Sequence, residues 1–101
     1  MKLLQCILTQ NDCYKAGRTI KPKGVMVHST GANNPNLKRY VQPVSTTPDR
    51  AGLLAALGTN NNRNDWNRAG TNACVHGFIG KLMDGSVAAV QTLPWNQRGW
   101  H

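Results

Sequence analysis

Short apolar runs separated by Gly, Pro and Asn clusters set the pattern of this chain. The run over residues 3–9, Leu3-Leu4-Gln5-Cys6-Ile7-Leu8-Thr9, suits a strand and is closed by Gln10-Asn11-Asp12. Gly24 opens Val25-Met26-Val27-His28-Ser29-Thr30, a β-branched run that ends at Gly31 and a Pro/Asn-rich turn. This is the best strand candidate of the first half, and its alternation puts Met26, His28 and Thr30 on one face.

Between these runs and the last third, the pattern turns helical. Asn36 is placed to cap a short helix through Leu37, Tyr40 and Val41, which Pro43 stops. Thr47 before Pro48 reads as N-cap and first helical position of a second helix, with Leu53, Leu54 and Leu57 inside and Gly58 closing it. Residues 59–64, Thr-Asn-Asn-Asn-Arg-Asn, have nothing to bury and read as an exposed loop. Residues 74–81 and 86–93 then flank Met83-Asp84-Gly85, and Asp-Gly predicts a two-residue type I′ hairpin turn between antiparallel strands. Strands early and late with helices between them predict an α/β fold, a mixed central β-sheet with flanking helices.

Length and charge narrow the picture. One hundred and one residues make one domain, 1–101. Twelve Lys+Arg face four acids, giving a net charge of +8, and every acid is an aspartate: Asp12, Asp49, Asp65 and Asp84. Such a chain concentrates polyanions around itself without choosing among them. No run approaches the ~18 apolar residues of a membrane span. The apolar start after Lys2 is interrupted by Gln5 and followed by Asn11-Asp12, with no small-residue cleavage site, so it reads as a strand and not a signal peptide. Synthesis in the bacterial cytoplasm is the expectation. The three cysteines, Cys6, Cys13 and Cys74, are odd in number and include no C-x-x-C pair, which argues against a disulfide framework.

Candidate chemistry rests on few groups. His28 falls at the carboxyl end of the Val25–Thr30 run, where ligands collect in α/β sheets. His76 shares a face with Cys74 and Phe78, as a core histidine would, and His101 ends the chain after Trp100. Three histidines suffice for an open zinc site, yet separations of 48 and 25 residues match no compact ligand motif. Trp66, Trp95 and Trp100 offer either core volume or flat faces for sugar rings or bases. Arg63, Arg68 and Arg98 stand near them in sequence, but no nucleic-acid motif accompanies them, so no nucleic-acid partner is expected.

Taken in order, Gly24-Val25-Met26-Val27-His28-Ser29-Thr30-Gly31, then Val75-His76-Gly77-Phe78-Ile79-Gly80 with Asp84-Gly85, then Leu93-Pro94-Trp95-Asn96-Gln97-Arg98-Gly99-Trp100-His101, resemble the zinc-dependent N-acetylmuramoyl-L-alanine amidases of phage and bacterial endolysins. These share a fold with peptidoglycan recognition proteins. The resemblance implies Zn2+ as cofactor with His28 as first ligand at the end of a central strand, and His76 and Phe78 in the next core strand. It also implies a substrate groove lined by His76, Trp95, Trp100 and His101, with peptidoglycan as partner at the cell wall. Val75 stands where some relatives carry a tyrosine. The remaining zinc ligands and the proton-transfer residue of that family map beyond residue 101. An amino-terminal, truncated amidase domain is therefore the expectation, with an incomplete sheet whose open edge favours self-association.

Two function classes follow. One is a hydrolase that cleaves the amide between N-acetylmuramic acid and L-alanine of the stem peptide, lysing the wall, with this chain alone not necessarily active. The other is a non-catalytic module that holds peptidoglycan or an anionic wall polymer through charge and tryptophan faces.

Overall fold

The computed structural model describes residues 2–22, 24–30 and 32–99. Within them the chain forms a small mixed α/β structure around a three-stranded sheet. β1 (Lys2–Gln5) lies parallel to β3 (Val87–Gln91), which pairs antiparallel with β2 (Gly77–Lys81), in the order β1-β3-β2. The ladder of β1 is short, but its direction continues: the Cys6 N–H donates to the Gln91 carbonyl at 2.9 Å and the Leu8 N–H to the Thr92 carbonyl at 2.9 Å. Cys6 and Leu8 are buried by that continuation, which is why the apolar pattern runs past the strand's end.

Register sorts the sheet into two faces, because successive side chains alternate. Leu4, Phe78, Ala88 and Val90 face the core, while Leu3, Ile79 and Val87, one residue out of step, face outward and are exposed. Over the inner face lies α2 (Arg50–Leu57), which buries Leu53 and Leu57. Its start lies later than the Thr47-Pro48 reading, with Asp49 as N-cap; Thr47 instead uses its hydroxyl to accept the Val44 N–H. Gly58 closes the helix as expected, with φ 88° and its N–H on the Leu54 carbonyl. The Asn36 segment tightens into a single 3₁₀ turn, Leu37–Arg39, without a side-chain cap, and it buries Leu37, Tyr40 and Val41.

Three rings lock this core. Tyr40 stacks on Phe78 at 5.1 Å, and Trp66 meets both edge-on, at 5.1 Å from Phe78 and 5.9 Å from Tyr40. Offset and edge-to-face pairs of this kind contribute about 1 kcal/mol each beyond their burial. Trp66 is thus a packing residue.

The hairpin forms, but through a different turn. Asp84 is not at positive φ; the Gly85 N–H donates to the Leu82 carbonyl at 3.0 Å, and the Leu82 N–H to the Ser86 carbonyl at 2.8 Å. Gly85 alone takes φ 84°, which makes a three-residue loop with glycine at its left-handed position in place of type I′. Asp84 accepts from the Ser86 hydroxyl and backbone N–H, and these bonds hold its carboxyl below the usual carboxylate range. The tip is tied to α2 by the Met83 N–H on the Ala56 carbonyl.

Two sequence expectations are corrected. Cys13 and Cys74 are joined in a disulfide across 61 residues, leaving Cys6 as the free thiol. The odd count misled because one cysteine serves purely as core volume. Residues 25–30 form no strand: no ladder or bridge among the described residues includes them, and Val25, Met26 and Val27 are exposed. A β-branched run needs a neighbouring edge to hydrogen-bond, and among the described residues this run pairs with none.

The disulfide anchors α1 (Asp12–Ala16), a helix of five residues that needs external support. Asn11 supplies it: its Oδ1 accepts the Cys13 N–H, and its Nδ2 donates to the Trp66 carbonyl at 2.8 Å and the Ala73 carbonyl at 3.0 Å. Among the described residues no helix is long and apolar enough to cross a membrane.

Candidate functional site

The chain segment leaving β3 makes the corner of interest. Thr92 is buried, its N–H on the His76 carbonyl at 2.9 Å and its hydroxyl donating to the Val75 carbonyl at 2.8 Å, so the two strand ends stay side by side past the ladder. Pro94 then begins a turn closed by the Gln97 N–H on the Pro94 carbonyl at 3.0 Å. This is the i to i+3 bond of a β-turn, with Pro94 at its first position and Trp95 at its second. Trp95 sits at the tip of this turn and is 59% exposed.

His76 lies just before β2 and not within it. Its ring stacks on Trp95, with centroids 6.2 Å apart and 20° between planes, and its Nε2 lies 2.6 Å from the Gln97 carbonyl. A carbonyl only accepts, so Nε2 is the donor. The turn backbone therefore fixes the imidazole, and the imidazole backs one face of the indole. What remains is a flat, amphipathic surface facing solvent, suited to a sugar ring or a planar amide.

A second strip completes the corner. Thr19 and Gln97 form an antiparallel bridge, with the Arg98 N–H on the Arg18 carbonyl at 2.7 Å and the Ile20 N–H on the Asn96 carbonyl at 2.8 Å. Gln97 is out of hydrogen-bonding register with Thr19, which is why its carbonyl turns to the other side and meets His76. Arg18 and Arg98 fall opposite each other, and both are exposed.

Of the residues expected in a groove, His76 and Trp95 are brought together, and Trp100 and His101 lie outside the described residues. His28 is exposed on the irregular 24–30 segment and does not end a central strand. No group of three His, Cys, Asp or Glu that could hold a metal occurs among the described residues. Arg63 and Arg68 do not join the corner as a set: Arg68 pairs with the buried Asp65 at 2.8 Å, and Arg63 belongs to the 59–64 loop. That loop is exposed as expected, and Asn60 organises it by donating to the Lys38 carbonyl and Asn64 Oδ1 and accepting the Asn62 N–H.

Sequence reasoning missed the Gln97 carbonyl and Arg18. A backbone acceptor leaves no residue-type signal, and Arg18 reaches Arg98 only through tertiary pairing. No family model, curated protein or solved structure matches this chain.

Proposed function

We propose that this chain is a peptidoglycan amidase domain, acting at the cell wall on the amide between N-acetylmuramic acid and L-alanine of the stem peptide. The observation that carries the reading is the exposed Trp95 ring laid on His76, within the ordered set of motifs that resembles endolysin amidases. An aromatic face backed by an oriented imidazole binds a glycan ring by apolar contact, and the charge of +8 draws an anionic wall toward it.

In this reading the metal is zinc and His28 is one ligand. A catalytic zinc takes three protein ligands, and the described residues do not assemble such a set. The part of the reaction that this chain's own residues carry is recognition: Trp95 seats the saccharide, and His76, held through Nε2, keeps the indole in place.

A second reading is a module that holds the wall without cutting it, through the same exposed Trp95 face and the charge of +8. Purified walls separate the two. Sedimentation of the protein with peptidoglycan, lost in Trp95→Ala, is expected under both. Release of free amino groups that needs zinc and is abolished by His28→Ala belongs to the amidase alone. Absence of wall binding by the wild-type chain overturns both. Self-association is a further expectation of this reading, through the open edge of β1 and the exposed Leu3, Ile79 and Val87, and sedimentation at several concentrations measures it.

A further inference from the structure

Like charges directly opposite on an antiparallel pair destabilise it, and Arg18 and Arg98 stand so placed on the short ribbon that joins residues 18–20 to 96–98. None of the four aspartates pairs with them. Asp12 accepts the Gly70 N–H, Asp65 pairs with Arg68, Asp84 is taken by Ser86, and Asp49 heads α2 beside Gly52. The one ion pair among the described residues is Arg68–Asp65. Two exposed arginines, set opposite each other by backbone bonds and with no ion pair to an aspartate among the described residues, therefore stand on the segment that leaves the Trp95 turn and on the strip paired with it. A planar guanidinium fits a carboxylate through two parallel N–H bonds, and a neighbouring pair can hold one carboxylate from both sides.

We propose that Arg18 and Arg98 form a carboxylate site and that, with Trp95, they recognise a saccharide ring bearing an acid group. The ring lies on the indole and its carboxylate between the guanidiniums. Where the source of that ligand is named, the inference rests on the peptidoglycan reading above. Hydrolysis of the muramyl amide breaks the C–N bond, with hydroxide from water joining the acyl carbon and a proton joining the alanine nitrogen. It leaves a lactyl carboxylate on the sugar where an uncharged amide had been. The corner thus favours glycan strands already stripped of stem peptides over intact ones.

The test is a titration of the isotope-labelled 101-residue protein with N-acetylmuramic acid, N-acetylglucosamine, glucuronic acid and inorganic phosphate, followed by NMR. N-acetylmuramic acid is expected to shift the Trp95 indole and the Arg18 and Arg98 signals, and to bind at least ten-fold more tightly than N-acetylglucosamine. That comparison needs no variant. Arg18→Gln with Arg98→Gln should remove the ten-fold advantage, whereas Arg50→Gln with Arg63→Gln, an equal change of charge elsewhere, should keep it. Glucuronic acid binding as tightly as N-acetylmuramic acid upholds the acid-sugar site and removes the wall as its source. Equal binding of the two N-acetyl sugars overturns the proposal, as does phosphate binding equally well with the Trp95 indole unmoved, or an arginine-pair variant that behaves like its control.

Discussion

Trp95 lies over His76 with 6.2 Å between ring centroids, and the same imidazole is bonded through Nε2 to the Gln97 backbone two residues beyond that tryptophan. The platform is thus built by a local turn closing on a distant strand end. Its ring is mostly exposed, so it contributes little to folding. Trp95→Ala is expected to change stability by less than about 1 kcal/mol while lowering wall binding ten-fold or more. A urea melt beside a peptidoglycan sedimentation assay reads both. Loss of both together would make Trp95 a packing residue.

Cys13–Cys74 closes a loop of 61 residues. In the chain-entropy account a loop of that length restricts the unfolded chain by about 4 kcal/mol. Cys13→Ser with Cys74→Ser, or the wild type under reductant, should therefore melt at markedly lower urea. Free-thiol titration of the unfolded, unreduced protein should find Cys6 alone.

Cys6 is buried, and burial pushes its thiol up to about 12 from an ordinary 9.0, with the Asp65 charge adding to the rise. The native state prefers the protonated form, so this contribution to stability is complete below pH 9 and is lost as pH climbs from 9 toward 12. Thiolate is the reactive species. Alkylation of Cys6 at neutral pH should be on the order of 10³-fold slower in the folded protein than in urea, from a shift of three pKa units. Fast labelling without urea would show the site open.

Asn11 serves three backbone groups while 1% exposed: the Cys13 N–H and the carbonyls of Trp66 and Ala73. Asn11→Ala removes the cap of α1 and leaves two carbonyls without that donor. The expected cost is about 2–4 kcal/mol, combining a lost cap with unsatisfied buried groups. Asn11→Asp should not rescue it, because a carboxylate cannot donate. Chemical denaturation of both variants checks this.

Where local chemistry alone decides, the chain was readable: Gly58 ends α2, and Gly85 marks the hairpin. The kind of turn at Gly85 was not, since one left-handed residue or two depends on how Leu82 and Ser86 align, which the strands decide. The Val25–Thr30 run has strand composition, but strand formation needs a partner edge, and composition does not supply one. That misplacement carried His28 with it. For the site, Trp95 and His76 were legible as residue types suited to a glycan, while their stacking depends on the Pro94 turn and Thr92 holding two strand ends together. Asn11 left no trace because its partners are carbonyls more than fifty residues away.

The parallel pairing of Lys2–Gln5 with Ala88–Gln91 sets an order on biosynthesis. β1 has no neighbour until β3, the middle strand of the sheet and the last of its three strands to be made, has emerged. Until then Leu4, Cys6 and Leu8 travel uncovered, and the sheet closes in a single late event. A chain exposed only as far as Ser86 thus carries two outer strands with nothing between them, and its apolar segments stay open to association.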